Sequence, residues 1–443
     1  MDDFTKMMLM MGKGMWGGTK LMLNSMGALA NRLSGNTPEQ RNARKRGVTE
    51  YKPSEIGGFF PPSEAPGNTV ISGGNDEIRA EAVGAFAQLA AYYQMPVVII
   101  HSGNQILEQY LLKLFQGTGL VGIINQMNPC YEPFYGKNSR EICQMIMESA
   151  PKEFEMKMNV RTYIEGMCAF LAAKGRKPHY RLLSSCPHGQ MFVKVDEAMQ
   201  NGLMTQEQGQ AIKMRLMAGQ NEYYKIENYF YDLEMQIGPV LWKHLPAVQG
   251  QNMPPVSISG ALANQGILLL DVCSVSNQIL LNLMLSEIKL ANQKGIRLAC
   301  VLDSLEVGDN EYLKKMIEQN SKCSLAFSSE DVYAACNADE KLFHILIGKS
   351  VKSVIFRHGS NVSATKWSEG IGSYDKEEVS HSYSKGKTSS PIMLFPSVSS
   401  TQSMNVSMKR EYIVKPEDII RMGNREAYIY SRSANELAHT ELV

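Results

Sequence analysis

The sequence has almost no excess of either charge: 45 Lys and Arg residues oppose 44 Asp and Glu residues, a formal net charge of +1. This balance argues against a protein that coats nucleic acid or a membrane surface through bulk charge. Tryptophan is scarce, with three residues, whereas methionine is frequent, with 28. At roughly 150 residues per domain, the 443 residues correspond to two or three domains.

The eight cysteines form no Cys-x-x-Cys pair, and Cys186 and His188 are the one closely spaced pair of Cys and His residues. Such a pair offers too few ligands for a structural zinc site, so we expect no bound metal. Several cysteines lie inside apolar runs, as Cys300 does, where small buried hydrophobes are the usual interpretation. We therefore expect reduced thiols and a cytoplasmic protein.

A long uninterrupted apolar run is also missing. Residues 7–30 are apolar and rich in Met, but two lysines interrupt them, and the glycines at 12, 14, 17 and 18 weaken any helix. A spanning helix needs about 20 mostly apolar residues without charges, so we predict an amphipathic segment instead. It docks on a partner or lies peripherally on the inner face of the cell membrane; a mobile tail is an equal alternative. With the basic run at 41–46, it forms an N-terminal segment, 1–46, before a Pro- and Gly-rich linker, 47–68.

The body of the chain alternates short apolar runs with segments of helical periodicity. This pattern predicts an α/β domain with a mainly parallel sheet and right-handed crossovers, formed by 69–135 and 251–431. Between them, 136–250 shows helical periodicity alone and predicts an all-helical insertion domain; 432–443 are interpreted as a C-terminal tail. The predicted strands are 68–72, 95–100, 119–124, 266–271, 297–303, 323–328 and 351–357, and the main predicted helices of the insertion are 138–150, 153–173, 191–200, 205–218 and 220–237.

A glycine-rich loop follows the first predicted strand and precedes a predicted helix, which is a ready anion site. The phosphate-loop pattern G-x-x-x-x-G-K-[ST], laid on Gly73, places Ile78 at the second glycine, Arg79 at the lysine and Ala80 at the hydroxyl. Two carboxylates stand where phosphate oxygens would lie, and like charges repel. The loop is therefore either a plain strand–turn–helix joint or a vestigial phosphate loop consisting of Gly73, Gly74, Asn75, Asp76 and Arg79.

A second candidate site follows the apolar strand at 297–303. An aspartate in this position often holds the magnesium water in nucleotide-driven motors, and Asp303 fits it. The next residue, Ser304, replaces the glutamate that usually orients the attacking water, and Glu306 lies two residues further on. These three residues are at most vestigial catalytic residues. Gly386-Lys387-Thr388 imitates the end of a phosphate loop, but no apolar strand precedes it, and we interpret it as loop.

Several weak features occur in a definite order along 68–431. They are the loop at 69–80, His101-Ser-Gly-Asn104 after a strand, the helical insertion, the strand ending at Asp303, Asn361-Val-Ser-Ala-Thr365, and the closing segments 412–420 and 426–430. This order resembles the TraG/TraD-like coupling ATPases of bacterial type IV secretion and conjugation, in the FtsK/HerA-like branch of P-loop proteins. The resemblance implies a RecA-like P-loop NTPase core interrupted by an all-helical domain.

The positions at which this sequence departs from that family are those that bind or hydrolyse the nucleotide. Its phosphate-loop lysine and hydroxyl are changed, and so are its acidic pair, an arginine near Asn320 or Ser321, and a glutamine at Ser329. The resemblance therefore implies a coupling-protein-like pseudoATPase without a bound cofactor. It would act as a scaffold, or recruit secretion subunits or transfer substrate proteins, alone or in a homo- or hetero-oligomeric ring.

Two other functions stay open. One is an active ATPase motor that uses ATP and magnesium to move DNA or protein, with Arg79 contacting phosphate, because Arg binds phosphate well. The other is an unrelated α/β enzyme, which no Ser/His/Asp order, metal box or paired-carboxylate signature supports. The methionines of the insertion are interpreted as adaptable core filler, or alternatively as a plastic surface for varied partners.

Overall fold

The computed structural model describes residues 37–442 apart from 51–55, 155, 243–254, 264–265, 275–277, 307, 309, 319–322 and 389–396. Most of the predicted Met-rich segment, residues 1–36, lies outside the described residues. The chain divides into a sheet unit, Tyr51–Ala364 with Ile419–Val443, and a hairpin unit, Met1–Glu50 with Thr365–Asp418. No helix in the described ranges is both long and apolar enough to cross a membrane.

Between residues 68 and 357 the strands coincide closely with the predicted ones. In chain order they are β1 (Val48–Glu50), β2 (Thr69–Ser72), β3 (Val97–His101), β4 (Val121–Ile124), β5 (Ile267–Asp271), β6 (Leu298–Asp303), β7 (Cys323–Ser329), β8 (Lys352–Ile355), β9 (Ser373–Thr388), β10 (Ser397–Tyr412), β11 (Glu426–Ser431) and β12 (Glu436–Glu441).

The helices follow the predicted periodicity. They are α1 (Pro38–Arg46), α2 (Asp76–Tyr92), α3 (Gln105–Leu114), α4 (Ser139–Ser149), α5 (Met158–Ala173), α6 (Tyr180–Ser184), α7 (Met191–Gln200), α8 (Gln206–Ala218), α9 (Tyr223–Ile237), α10 (Ile258–Leu262), α11 (Gln278–Gln293), α12 (Glu311–Glu318), α13 (Val332–Ala335), α14 (Glu340–Lys349), α15 (Asn361–Ile371) and α16 (Pro416–Arg421).

The sheet unit is built on a mostly parallel sheet, with the strand order β12-β11-β8-β2-β7-β6-β3-β5-β4. The strands from β8 to β4 in this order are parallel to their neighbours, whereas β11 pairs antiparallel with both β8 and β12. The inner strands are apolar runs buried on both faces, as parallel sheets require, and this is why they could be read from the sequence. The segment 432–443, predicted as a tail, contains β12.

The predicted linker 47–68 also contributes to the sheet unit. Phe59 and Phe60 are buried in its core, and the Phe60 ring packs edge-to-face on Phe86 of α2 with centroids 6.0 Å apart. Lys352 of β8 donates to the Glu64 carboxylate at 2.8 Å. Its prolines and glycines suggested a spacer, but burial of the two aromatic rings fixes this segment against α2.

Between β4 and β5, the described residues form helices α4 to α10 and no strand, with isolated bridges at the base. Sequence signals mark where these helices begin: α4 starts at a capping box of Asn138 and Glu141, and α8 at one of Thr205 and Gln208. The boundaries of a separate helical domain, 136–250, remain a prediction.

The two chain segments that enter and leave this helical region meet in a short ladder. Tyr131 donates its N–H to the Val240 carbonyl at 3.1 Å and accepts from the Trp242 N–H at 2.8 Å. On the other side, the Glu132 N–H donates to the Val256 carbonyl at 2.9 Å. The ladder brings the start and the end of the insertion together, so the insertion can leave the sheet without disturbing its strand order.

A buried ion pair joins this junction to the helix layer of the sheet. Lys137 Nζ lies 2.9 Å from Glu287 Oε1 of α11, and both side chains are almost fully buried. Ser259 of α10 donates its N–H at 3.0 Å and its hydroxyl at 2.7 Å to the same carboxylate oxygen, and the Tyr131 hydroxyl donates to the other at 3.4 Å. A buried charge is tolerated only when it is paired and hydrogen-bonded, and this carboxylate is both.

The hairpin unit contains a two-stranded antiparallel hairpin of sixteen residues in each strand, β9 and β10, which pair from Ser373 with Tyr412 to Thr388 with Ser397. Gly386-Lys387-Thr388, interpreted as loop, lies in β9; that interpretation was wrong. In β10 apolar alternation is limited to Met404, Val406 and Met408 within a Ser-rich stretch, which is too short a run to predict a strand of this length. Near the base of the hairpin, Arg41 and Lys45 of α1 each lie 2.9 Å from the Glu377 carboxylate.

Loss of Lys137 should destabilise the sheet unit strongly, because Glu287 would stay buried without its cation. We expect Lys137→Met to lower the free energy of unfolding by about 3–5 kcal/mol, and the double variant Lys137→Met/Glu287→Met to recover most of that loss. Urea unfolding measures both. The control is Lys152→Met in the exposed pair with Glu311, 3.8 Å apart, which should cost less than about 1 kcal/mol. Equal losses for the two single variants would contradict the assigned role of the buried pair.

Candidate functional site at the carboxyl ends of the strands

The carboxyl ends of β2, β3, β6 and β7 open onto a cleft of about 650 Å³ in the sheet unit. Parallel register aligns these ends: Ser72 pairs with Ser329, and His101 pairs with Asp303. Ligands of open α/β sheets bind in this position. Arg79 and Glu306, from the two regions singled out in the sequence, both line the cleft, so folding brings the two predicted sites together.

The loop between β2 and α2 is closed by hydrogen bonds to the protein. The Gly73 N–H donates to the Ser329 carbonyl at 3.1 Å, and the Gly74 N–H donates to the Arg357 carbonyl at 2.9 Å. Asn75 caps α2, its side chain accepting from the Ile78 N–H at 3.0 Å. A phosphate loop binds its ligand through free backbone N–H groups, whereas here three of them already have acceptors.

Arg79, which stands at the place of the phosphate-loop lysine, points back to its own loop. Its guanidinium donates to the Gly74 carbonyl at 2.7 Å and pairs with the Asp76 carboxylate. The residue is 3% exposed. Its charge is therefore committed to the loop that it would have to leave in order to reach a phosphate.

Asp303 at the end of β6 is also committed. It is 1% exposed, and its Oδ2 accepts from Asn104 Nδ2 at 2.7 Å and from the Ser304 hydroxyl at 3.2 Å. Asn104 in turn caps α3, its side-chain oxygen accepting from the Leu107 N–H at 3.0 Å. The aspartate thus holds a helix start, and Ser304 adopts a left-handed conformation with φ 55° beside it.

His101, at the end of β3, connects the cleft floor to α3. Its Nδ1 accepts from the Asn104 N–H at 3.2 Å, and its Nε2 lies 3.4 Å from the Glu108 carboxylate. This contact with His101 lowers the pKa of the Glu108 carboxyl. Both ring nitrogens therefore face partners within the protein, and His101 contributes to positioning α3.

A buried polar cluster beside the loop was missed by sequence reasoning. His358 Nε2 lies 3.1 Å from the Ser72 hydroxyl, which also accepts from the Val332 N–H at 3.4 Å. Asp331 accepts from the Ser363 hydroxyl at 2.5 Å. Burial lowers the pKa of His358 to about 4, and the nearby Asp331 carboxylate opposes that shift. These residues are far apart in the chain, and no local pattern links them.

The lining of the cleft is acidic. Among the described residues that line it, Asp76, Glu306, Glu330 and Asp331 are carboxylates, whereas Arg79 is a cation and is already paired with Asp76. A nucleotide triphosphate would meet repulsion from these carboxylates. No group of three or more His, Cys, Asp or Glu residues within the described ranges is arranged to hold a metal ion.

In this conformation the groups that would contact ATP and magnesium already have partners within the protein. The loop amides donate to protein carbonyls, the only cation of the lining described is folded onto the loop, and Asp303 accepts from two side chains. Each of these groups would have to exchange its present partner for the nucleotide or its metal. Folding thus brings the two predicted site regions to one cleft, where Arg79 and Asp303 are bonded to neighbouring protein groups.

The strand order, the helices between β4 and β5 and the strand–loop–helix joint at Gly73 define a RecA-like, P-loop-type α/β fold. Solved structures of conjugative coupling proteins share it. The "Bacterial conjugative coupling protein TrwBdeltaN70" in a trigonal form with sulphate is 11% identical, covers 91% of this chain and 92% of its own, and superimposes with a TM-score of 0.53.

"Plasmid coupling protein TrwB in complex with ADP and Mg2+" is 12% identical, with 90% of both chains covered and a TM-score of 0.50. The complex of TrwB with the GTP analogue GDPNP is 12% identical, covers 90% of this chain and 91% of its own, and has the same TM-score of 0.50. No family model and no curated protein matches the chain. The similarity establishes the fold, and the coupling-protein resemblance read from the sequence is confirmed at that level.

Substitution of Gly73 should disrupt the closed loop. Its φ is +88°, and a Cβ would lie 2.6 Å from the Phe356 carbonyl oxygen, so Gly73→Ala should lower the free energy of unfolding by about 2–4 kcal/mol. Urea unfolding measures the loss. Gly348→Ala in α14 is the matched control, because space there is open and Ala should stabilise the helix by about 1 kcal/mol. An undiminished unfolding midpoint in Gly73→Ala would contradict the packing of the loop.

His358 should make stability depend on pH. Its pKa is about 4 in the folded chain and 6.5 unperturbed, so only the unfolded chain gains this proton as pH falls between these values. Stability from this group is present at neutral pH and lost through that window. The advantage of the native chain over His358→Gln should shrink by about 2–3 kcal/mol between these two limits, measured by urea unfolding. An advantage that stays constant with pH would rule this assignment out.

Proposed function

We propose that this chain is a coupling-protein-like pseudoATPase of a bacterial type IV secretion or conjugation system, acting as a scaffold or as a recruiting component. The observation that carries the proposal is the closed loop: the Gly73 and Gly74 amides donate to strand-end carbonyls, and Arg79 is paired with Asp76. A protein that keeps the coupling-protein fold, but whose loop amides and arginine are bonded within the chain, is suited to binding partners and not to hydrolysis.

The acidic lining supports the same conclusion. A site that binds nucleotide polyanions concentrates positive charge or free amides, and the carboxylates at Asp76, Glu306, Glu330 and Asp331 do the opposite. Opening the loop would release Arg79, but the three carboxylates not paired with it would still face the phosphates. The active-motor alternative therefore requires a rearrangement of loop, arginine and lining together.

The surface of the helices between β4 and β5 supports a partner-binding role. Met145, Met167, Met191 and Met204 are buried and fill the helical core. In contrast, four methionines are more than half exposed on the same helices, namely Met158, Met214, Met217 and Met235, as are Tyr224 and Tyr231. Flexible thioethers and aromatic rings on a surface suit contacts with varied proteins. Burial supports the core-filler interpretation for the first four methionines, and the partner surface is our proposal for the four exposed ones.

The partners we propose are type IV secretion subunits or transfer substrate proteins, bound in the cytoplasm or at the inner face of the cell membrane. The similar structures are those of conjugative and plasmid coupling proteins, and we extend that role to this chain because the fold is shared. DNA is a further candidate, although the net charge of +1 gives no bulk attraction to it.

An ATP titration tests the loss of nucleotide chemistry. The purified chain should show no rise in melting temperature and no phosphate release when ATP and magnesium are raised to millimolar concentrations, since a ligand stabilises only the state that binds it. A catalytically active coupling ATPase, treated identically, is the positive control. Saturable stabilisation, with phosphate release abolished in Asp303→Ala, would overturn the proposal and support the motor.

A further inference from the structure

The outer edge of β10 carries a row of backbone groups that point away from the hairpin. On the opposite strand, Asn42 of α1 donates to the Glu377 carbonyl at 2.9 Å and accepts from the Glu377 N–H at 2.8 Å. The backbone of Glu377 therefore faces away from β10. Glu377 is paired with Met408, and in an antiparallel ladder both members of such a pair face outward. The backbone N–H and C=O of Met408 thus point to the free side of β10.

Alternation along the strand extends this edge. Residues two apart repeat both the direction of their backbone groups and the face of their side chains, so Met404 and Val406 share the orientation of Met408. The three side chains are 59%, 49% and 62% exposed. The described residues of the hairpin unit donate no hydrogen bond to, and accept none from, the outward backbone groups of these three residues.

Within the described part of the hairpin unit, this edge lacks the devices that usually prevent strand pairing. Edge strands are commonly protected by charged side chains, by proline or by a covering element. From 397 to 408, β10 has no charged residue and no proline, and its first charge is Lys409. A two-stranded hairpin alone is at best marginally stable in water, so a hairpin of this length gains from a further strand.

We propose that β10 pairs antiparallel with β10 of a second copy of this chain, about a two-fold axis at Val406. In this register Val406 lies opposite Val406, and Met404 lies opposite Met408, so each outward N–H and C=O finds an acceptor or donor. Val379 is the partner of Val406 within the hairpin. The combined four-stranded sheet therefore carries an unbroken row of four valines on one face.

The charges of β10 favour antiparallel over parallel pairing with a second copy of the strand. About the axis at Val406, Lys409 lies opposite Ser403, and Arg410 lies opposite Gln402, so no like charges meet. A parallel in-register arrangement would place Lys409 beside Lys409 and Arg410 beside Arg410, which is unfavourable. The strand is thus self-complementary in the antiparallel sense, as a two-fold interface requires.

Cysteine cross-linking of the full chain tests this register. Val406→Cys should give a disulfide-linked dimer under mild oxidation that dithiothreitol reverses, because directly opposite residues lie within disulfide reach. The native chain is the background control, since seven of its cysteines are buried and Cys273 is half-buried. Ser407→Cys is the matched control: the proposed register places it opposite Asn405, too far from its own copy for a bridge. Cross-linking of Ser407→Cys as readily as of Val406→Cys would overturn the proposal.

Sedimentation over a concentration series supplies the second measurement. The native chain should self-associate, and Val406→Lys should weaken that association about tenfold or more, because two lysines would meet at the axis. Met127→Lys, at a residue that is 92% exposed in the sheet unit, should leave it unchanged, and circular dichroism checks that both variants are folded. A native chain that stays monomeric throughout and gives no Val406→Cys dimer contradicts the proposal, as does association weakened by Met127→Lys but not by Val406→Lys.

Discussion

Backbone hydrogen bonding at the end of β2 is the constraint on which the rest of the site depends. A buried N–H must find an acceptor, and in a phosphate-binding loop the ligand supplies it. Here the Gly73 amide donates to Ser329 at the end of β7, and the Gly74 amide donates to Arg357, two residues after the end of β8. The loop is therefore complete without an anion. Its left-handed glycines allow the close approach to the Phe356 carbonyl that brings the loop within hydrogen-bond distance of β8.

The other features of the cleft follow from that closure. The guanidinium of Arg79 is satisfied by the Gly74 carbonyl and by Asp76. Of the lining carboxylates, Asp76 pairs with Arg79, and Asp331 accepts from the Ser363 hydroxyl and from the Ala334 N–H. Asp303 is free to hold Asn104 and through it the start of α3. Residues that would do chemistry in an open site thus serve to fix the ends of strands and helices.

The parts of this structure that the sequence predicts are those governed by local patterns. Strands such as β3 and β6 are continuous apolar runs because both faces are buried, and helices such as α5 and α8 show the period of one buried face. The departures at Arg79 and Ser304 are visible because a motif fixes their spacing. All of these signals lie within a few residues of each other along the chain.

Long-range pairings and solvent-exposed strands escape such patterns. Ser72 and His358 meet because β2 and β8 are neighbours in the sheet, which no local spacing encodes. Most of the length of the β9–β10 hairpin is Ser-rich, and its apolar alternation is limited to Met404, Val406 and Met408, so only its pairing reveals it. The Phe59-Phe60 pair was hidden in a Pro- and Gly-rich segment, whose composition predicts a spacer unless the burial of both rings is known.

Hydrogen-bond satisfaction also gives a common basis for the two proposals. In the loop after β2, donors that a nucleotide would need are used within the chain, which is the basis of the pseudoATPase proposal. On β10 the situation is reversed: backbone groups beside Met404, Val406 and Met408 face outward along an uncharged stretch of strand. Unmet backbone pairing combined with apolar side chains is a source of binding free energy for another strand. The specificity of this protein is therefore expected on its surfaces, where groups remain available, and not in the cleft, where they do not.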